Sequence, residues 1–184
     1  MSNKIINPIL PGFYPDPSIC AANGYFYLVN SSFSYFPGLP IFRSSDCSKW
    51  EQIGNIIDRP EQLNFDGAGV SRGLFAPTIR FHKGKFYCIC TQVDKIGNFY
   101  VTADNPEGPW SNPIVIEGAE GIDPSLFFDD DDTCWYTGTR PAPEGCKYNG
   151  NWEIYLQKLD ISTGKLLGDS KGIWRGALKD CVWP

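Results

Sequence analysis

The chain has 184 residues, of which 42% are hydrophobic and 15% aromatic, and its formal net charge is -5. This length and apolar content suffice for a globular domain with a buried core and exclude an intrinsically disordered chain. The acidic balance offers no basic surface for nucleic acid or an anionic membrane, and no apolar run is long enough to span a bilayer. We therefore expect a soluble cytoplasmic protein that has neither nucleic acid nor a membrane as partner.

Short β-branched or aromatic runs bounded by turn-forming residues recur along the chain, and this pattern is typical of an all-β fold. In chain order, the predicted strands cover residues 25–29, 40–43, 78–81, 86–90, 99–102, 114–116, 125–128, 134–138 and 154–157. Asn23-Gly24 and Lys83-Gly84 lie between strand signals and favour tight turns with positive φ. No window shows a sustained 3.6-residue apolar period, so no helix is predicted.

A proline-containing motif introduces a strand three times along the chain. Its copies are Asp16-Pro17-Ser18-Ile19, Ala76-Pro77-Thr78-Ile79 and Asp123-Pro124-Ser125-Leu126. A repeat of about 50 to 60 residues that is built from hairpins favours a β-propeller, which is a radial array of β-sheets. Equivalent ends of the innermost strands meet at the axis of a propeller. We therefore expect Asp16 and Asp123 to face one pocket.

The repeat divides the chain into approximate blades, where a blade is one of these sheets. The blades cover residues 11–69, 70–116 and 117–176, and residues 177–184 are interpreted as the start of a fourth copy. Three blades alone leave the flank of the last sheet unpaired, and natural proteins avoid such exposed edges. We therefore expect the sequence to be the front part of a longer protein.

The residues that often bind metals give no metal-site pattern in this chain. The seven cysteines are irregularly spaced, which favours reduced, mostly buried thiols over a zinc site. The single histidine, His82, precedes a Lys-Gly-Lys turn and is interpreted as a solvated tip residue. The acidic run at residues 129–132 lacks the ligand spacing of a calcium loop and is interpreted as a hairpin tip. We expect no metal and no cofactor in this chain.

Four collinear blocks of the chain read NPILPGFYPDPS at residues 7–18, SFSYFPGLPI at 32–41, LFAPTIR at 74–80 and GIDPSLF at 121–127. Together they resemble glycoside hydrolase family 43, and its β-xylosidases in particular. The resemblance implies a five-bladed β-propeller, of which this chain supplies about the first three blades. It also implies an axial pocket that holds three catalytic carboxyl groups.

The resemblance assigns roles to several residues of this chain. Asp16 matches the general base that activates water, and Asp123 matches the aspartate that orients the catalytic acid and keeps its pKa raised. The acid itself is a glutamate that precedes a Pro-His pair in the family, and no glutamate of this chain lies in such a context. We therefore expect the chain alone to be inactive. The resemblance also implies that Phe33, Phe75, Ala76 and Arg72 fall in segments that line the sugar-binding subsite in similar enzymes.

Simpler interpretations of these residues remain open at this point. Asp-Pro pairs often initiate turns, so Asp16 taken alone fits a turn residue, although its recurrence at Asp123 favours a shared function. Phe33 and Phe75 fit a hydrophobic wall against a sugar and also fit simple packing. Arg72 fits an exposed loop arginine without a special role.

The favoured function is an inverting exo-β-1,4-xylosidase that acts on xylo-oligosaccharides, which makes a small carbohydrate the expected partner. The alternatives are an α-L-arabinofuranosidase of the same family and a non-catalytic carbohydrate-binding propeller. A fructan-cleaving relative is disfavoured because the chain has no Arg-Asp-Pro block. The sequence leaves the oligomeric state open and allows a homo-oligomer of the full-length protein.

Overall fold

The computed structural model describes residues 6–148 and 150–176, and the regular elements in these ranges are all β-strands. None of these residues belongs to a helix long and apolar enough to cross a membrane. Sheet 1 contains β1 (Ser18–Ala22), β2 (Tyr25–Val29), β3 (Gly38–Ser44) and β4 (Glu51–Ile57). Sheet 2 contains β5 (Thr78–His82), β6 (Lys85–Gln92), β7 (Gly97–Ala103) and β8 (Ile114–Val115). Sheet 3 contains β9 (Ile122–Phe128), β10 (Cys134–Pro141), β11 (Trp152–Asp160) and β12 (Lys165–Trp174).

The strand order within each sheet follows the chain, and every neighbouring pair is antiparallel. The prediction of an all-β chain built from repeated sheets is therefore confirmed. Each four-stranded sheet falls within one of the three predicted blade ranges. The expected start of a fourth copy, residues 177–184, lies outside the described residues.

Two-residue hairpin turns fix the strand register in sheets 1 and 2. Asn23 and Gly24 have φ values of 51° and 81°, and Lys83 and Gly84 have φ values of 46° and 80°. Two consecutive residues with positive φ are the signature of the turn whose twist matches that of the flanking strands. The prediction of tight turns at these two dipeptides is confirmed.

Two of the observed strands, β4 and β12, were not predicted. Each is the outermost strand of its sheet, and much of its length is at least partly exposed. Each also contains glycine, namely Gly54 in β4 and both Gly168 and Gly172 in β12. An exposed strand needs no alternation of apolar residues, so its sequence lacks the signal that identifies the inner strands.

The middle sheet is buried on both faces, and β6 illustrates how. Phe86, Cys88 and Cys90 belong to an apolar cluster shared with sheet 1, whereas Ile89 belongs to a cluster shared with sheet 3. This is the period of two that a strand imposes on its side chains. The Phe86 ring lies 5.1 Å from that of Tyr27 in sheet 1 at an interplanar angle of 76°. Aromatic contact therefore connects sheets 1 and 2 directly.

The first strands of the three sheets lie next to one another, since β1 contacts β5 and β5 contacts β9. Serines of the repeated motif connect them. The backbone N–H of Ile79 in β5 donates to Ser18 Oγ in β1 over 3.1 Å. Arg80 in β5 donates to Ser125 Oγ and to the Leu126 carbonyl in β9, both over 3.0 Å. The residues that follow the Asp-Pro pairs thus hold neighbouring sheets together.

The packing between sheets 1 and 2 predicts the effect of truncating Phe86. Replacing Phe86 with Ala removes a fully buried ring and should lower the free energy of unfolding by about 3 to 5 kcal/mol. Phe127 is the control, because its side chain is 58% exposed. Phe127→Ala should cost much less. Denaturant unfolding of both variants measures the difference, and equal losses would contradict the interface described above.

Candidate active site

Asp16 lies at the entry to β1, and its carboxylate is anchored by a neighbouring strand connection. Ser31 Oγ donates a hydrogen bond of 2.6 Å to Asp16 Oδ2. The backbone N–H of Ser31 also donates to the carbonyl of Pro15 over 3.1 Å. Ser31 is buried, whereas Asp16 is exposed. One carboxylate oxygen of Asp16 is therefore fixed by a buried hydroxyl, while the rest of the side chain reaches solvent.

Asp123 is the second residue of β9, and it lies where the pairing with β10 is irregular. Ile122 pairs with Thr139 and Ser125 with Thr137, so the register shifts between these two pairs. Irregularities of this kind redirect the side chains around them. Gly121 precedes the shift with a φ of 78°, and a Cβ there would lie 1.7 Å from the Thr139 carbonyl oxygen. Only glycine allows this close approach.

The structure brings Asp16 and Asp123 together. Both side chains reach solvent, yet the surrounding protein desolvates the Asp123 carboxyl and raises its pKa, and the negative charge of Asp16 raises it further. The Cys90 thiol is buried, which is the main cause of its raised pKa, and both aspartates contribute to the same shift. The charge of Asp16 thus acts at Asp123, and both charges act at Cys90. The strands at whose starts the two aspartates lie, β1 and β9, both contact β5.

Both aspartates have a strained backbone. The φ values are 53° for Asp16 and 55° for Asp123, and each residue precedes a proline, which restricts the backbone further. A non-glycine residue in this region costs about 1 to 3 kcal/mol and is kept only where the surroundings enforce it. Ala76, at the equivalent place in the middle repeat, is not among the residues with positive φ. The strain coincides with the carboxylates.

An aromatic group forms around Phe33, two residues after Ser31, which is the hydrogen-bond partner of Asp16. The Phe33 ring is 5.6 Å from that of Phe75 at 66°, and 5.9 Å from that of Phe13 at 39°. Phe33 also has a positive φ of 49°, and its backbone exchanges two hydrogen bonds of 2.9 Å with Leu74. This bridge needs Gly73, since a Cβ there would lie 2.4 Å from the Phe33 carbonyl oxygen. Phe33 and Phe75 are both partly exposed.

Arg72 and Ala76 border the same group. The Arg72 guanidinium makes two hydrogen bonds of 2.6 Å to the Asp94 carboxylate. Its central carbon lies 5.6 Å from the Phe75 ring centroid. A bidentate pair of this kind fixes the plane of the guanidinium. Ala76 is half-buried directly after Phe75. Phe33, Phe75 and Arg72 are thus brought into one group, and Ala76 adjoins it.

Phe13 and Tyr35 were not predicted to be functional residues, although both lie in blocks that carry the family resemblance. Their side chains are each 59% exposed, and their rings are 6.0 Å apart. They border a cleft of about 320 Å³ together with Ser31, Gln52 and Asn55. The exposure of these rings sets them apart from core aromatics. Sequence alone carries no signal for that exposure.

Within residues 6–148 and 150–176, no group of three His, Cys, Asp or Glu side chains is placed to hold a metal ion. The acidic run at 129–132 lies between β9 and β10, as expected for a hairpin tip. His82 was expected to be a solvated tip residue, and this was wrong. Its ring stacks on that of Phe128 at 4.2 Å and 3°, and its Nε2 lies 3.2 Å from Asp132 Oδ1. The aromatic partner on sheet 3 is visible only in three dimensions.

Comparison with known proteins places the chain in a family. Residues 5–184 match the model of glycosyl hydrolases family 43. A "Xylosidase/arabinosidase" of Butyrivibrio fibrisolvens is 60% identical over 180 residues, which are 97% of this chain and 35% of that protein. A "Non-reducing end alpha-L-arabinofuranosidase" of Bacteroides ovatus is 48% identical over 128 residues, which are 67% of this chain and 24% of that protein.

A solved structure agrees with the sequence relatives. The crystal structure of a xylan beta-1,4-xylosidase from Bacillus halodurans superimposes with a TM-score of 0.87 at 38% identity, over 95% of this chain and 34% of that one. The chain therefore spans about a third of the length of this xylosidase and of the Butyrivibrio relative. The resemblance inferred from the four sequence blocks is confirmed, and the chain belongs to glycosyl hydrolase family 43.

Proposed function

We propose that this chain forms the part of an inverting exo-β-1,4-xylosidase that carries the general base and the aspartate that modulates the acid. The substrate is a short xylo-oligosaccharide. One observation supports this proposal most strongly. Asp16 and Asp123 occupy the same position of the repeat and share the same strained backbone conformation. They lie at the starts of β1 and β9, which both contact β5, and the charge of Asp16 acts at Asp123.

Asp16 is the general base of the proposed reaction. In hydrolysis with inversion, one carboxylate takes a proton from water as the water attacks the anomeric carbon, while a carboxylic acid on the opposite side protonates the leaving oxygen. The two carboxyl groups must be about 6.5 to 9.5 Å apart to leave room for the water. The hydrogen bond from Ser31 to Asp16 Oδ2 supports this role, because it restrains the rotation of the carboxylate.

Asp123 acts on the catalytic acid rather than on the substrate. A negative charge near a second carboxyl group disfavours its ionisation and so keeps it protonated at neutral pH. We propose that the acid is a glutamate in the remainder of the full-length protein. Without that glutamate, the chain lacks a contribution worth about 10² to 10⁴ in rate, so we propose that the 184 residues alone are inactive.

The sugar lies against Phe33 and Phe75 in this proposal. The two partly exposed rings offer apolar surface to the carbon-bound face of a pentose. Ala76 keeps the adjoining space open because its side chain is small. Arg72, fixed by Asp94, offers its remaining N–H groups to sugar hydroxyls at the rim. The proposed partner is thus a small carbohydrate.

The second candidate is an α-L-arabinofuranosidase. Its support is that the Butyrivibrio relative is named for both activities and the Bacteroides relative for arabinofuranosidase alone. A xylopyranoside and an arabinofuranoside are both pentosides of similar size, so the aromatic group described above accommodates either. The two candidates share the roles of Asp16 and Asp123 and differ only in the sugar.

The substrate class is tested with chromogenic β-xyloside and α-L-arabinofuranoside. The full-length protein should release the chromophore from the xyloside with the higher kcat/KM, and xylo-oligosaccharides should yield xylose. Cleavage of the arabinoside alone would replace the first candidate with the second. Sugar binding without cleavage of either compound would favour a non-catalytic propeller.

Removal of the proposed base should abolish turnover. Asp16→Ala in the full-length protein should lower kcat by at least about 10² to 10⁴, because it removes the carboxylate that is proposed to activate water. The matched control is Asp104→Ala, since the Asp104 side chain is 84% exposed and pairs with Lys85. The control should retain activity, and circular dichroism should show both variants folded. Retained turnover in Asp16→Ala would refute the assignment.

The raised pKa of Asp123 predicts that replacing this aspartate with a neutral residue stabilises the protein in a pH-dependent way. The folded state binds the proton of Asp123 more tightly than the unfolded state, so stability falls as pH rises from about 4 through the raised value. Asp123→Asn should therefore be more stable than the parent at pH 7, and this advantage should shrink as the pH falls through the raised pKa of Asp123 and vanish at about pH 4. Denaturant unfolding across this pH range measures it.

Asp160 gives the control of opposite sign. Hydrogen bonds from Ser162 and Thr163 lower the pKa of Asp160, so its ionised form stabilises the folded state and that contribution is lost as pH falls. Asp160→Asn should be less stable than the parent at pH 7. A stability gain in both variants, or in neither, would contradict the electrostatic description of the site.

A further inference from the structure

A buried asparagine supports the segment that leads into Asp16. Asn30 follows β2, and its side-chain amide donates hydrogen bonds to the carbonyl of Tyr14 over 2.8 Å and of Pro15 over 3.1 Å. These are the two residues directly before Asp16. Only 1% of Asn30 is exposed. Both amide hydrogens are thus committed to the backbone that carries the carboxylate.

A second buried asparagine holds the segment before Asp123 by the same kind of hydrogen bonds. Asn98 lies in β7 of sheet 2 and reaches towards sheet 3, where its amide donates to the carbonyl of Ala119 over 3.0 Å and of Gly121 over 3.2 Å. Thr91 Oγ1 donates to Asn98 Oδ1 over 2.6 Å and so fixes which way the amide points. The segment before Asp123 is therefore held by the neighbouring sheet.

Asn30 and Asn98 make the same kind of contact from different places in the fold. Asn30 acts from the same sheet as its aspartate, whereas Asn98 acts from the adjacent sheet. The aspartate that follows each of these held segments has a positive φ. Such a conformation persists only where the surroundings impose it. Two hydrogen bonds from one rigid amide to successive stretches of backbone provide that restraint, since they fix position and orientation together.

The unpaired oxygen of Asn30 argues against a purely structural use of this residue. Its Oδ1 is buried and has no hydrogen-bond partner among the described residues. A buried acceptor without a donor weakens a fold, so an asparagine chosen only for stability would be a poor solution. What this side chain provides is its pair of donors at Tyr14 and Pro15.

We propose that Asn30 and Asn98 are positioning residues that hold Asp16 and Asp123 at their separation across the central site. Neither side chain contacts the substrate in this proposal, and both act through the backbone before each aspartate. The expected loss of kcat rests on the proposed function. The expected displacement of the aspartates does not depend on it.

The test removes the donors without adding charge. Asn30→Leu and Asn98→Leu keep a similar shape in the full-length protein but cannot donate. Gln62→Met is the matched control, because Gln62 is also a buried amide and its two donors go to the carbonyls of Ile56 and Ser111, neither of which lies in the segments directly before Asp16 and Asp123. Crystal structures and steady-state kinetics on a chromogenic xyloside are measured for all three variants.

Each Leu variant should displace its own aspartate. We expect the φ of Asp123 in Asn98→Leu, and of Asp16 in Asn30→Leu, to leave the left-handed region or the carboxyl to move by about 1 Å, which lowers kcat by about 10- to 100-fold. KM should change by less than about threefold, since ground-state binding is retained. Gln62→Met should leave the positions of both aspartates and kcat unchanged, even if its thermal midpoint falls as much as that of the Leu variants.

Unmoved aspartates in both Leu variants would overturn the proposal, as would an equal loss of kcat in Gln62→Met. If the parent hydrolyses no glycoside, the proposed function fails, and the crystal structures alone decide the positioning role. Should Asn98→Leu fail to fold, Thr91→Val replaces it, because it removes only the bond that orients the Asn98 amide. The same displacement of Asp123 is then expected, and its absence counts against the proposal.

Discussion

Burial of the middle sheet on both faces is the constraint on which the other features depend. The side chains of β6 alternate between a cluster shared with sheet 1 and a cluster shared with sheet 3. Because apolar contact holds the sheet from both sides, neither neighbour can turn away without exposing buried surface. The first strands of the three sheets consequently stay in contact. The serines that follow Asp16 and Asp123 take part in the hydrogen bonds that join them.

That packing converts a repeated sequence motif into a chemical site. Two aspartates that are more than a hundred positions apart along the chain come close enough for the charge of Asp16 to act at Asp123. Both keep a backbone conformation that an isolated peptide would leave. Buried donors hold both places. Ser31 donates to the Asp16 carboxylate, and the amides of Asn30 and Asn98 donate to the backbone before each aspartate. Rigid support beneath exposed carboxylates is the arrangement that acid–base chemistry requires.

Much of the fold and part of the candidate site could be predicted from sequence. The inner strands carry alternating apolar residues and the tight turns carry residues that accept positive φ, so local physics identifies both. The outermost strands β4 and β12 escaped prediction because partly exposed stretches that contain glycine leave no regular apolar pattern. His82 was misinterpreted because its partners lie in another part of the chain, Phe128 in β9 of sheet 3 and Asp132 in the turn between β9 and β10. The exposed rings of Phe13 and Tyr35 could not be told from core aromatics.

The sequence by itself determined the all-β class, the three copies of the proline motif, the family and the two aspartates worth attention. These properties are written in short stretches of neighbouring residues, where propensity, turn chemistry and motif spacing are enough. Only the tertiary structure decided that the two carboxyls interact, that Asp94 fixes Arg72, and that Asn30 and Asn98 lie beneath the strained segments. The physical reason is that each of these contacts joins residues brought together by the packing of whole strands, and no local pattern encodes a distance between them.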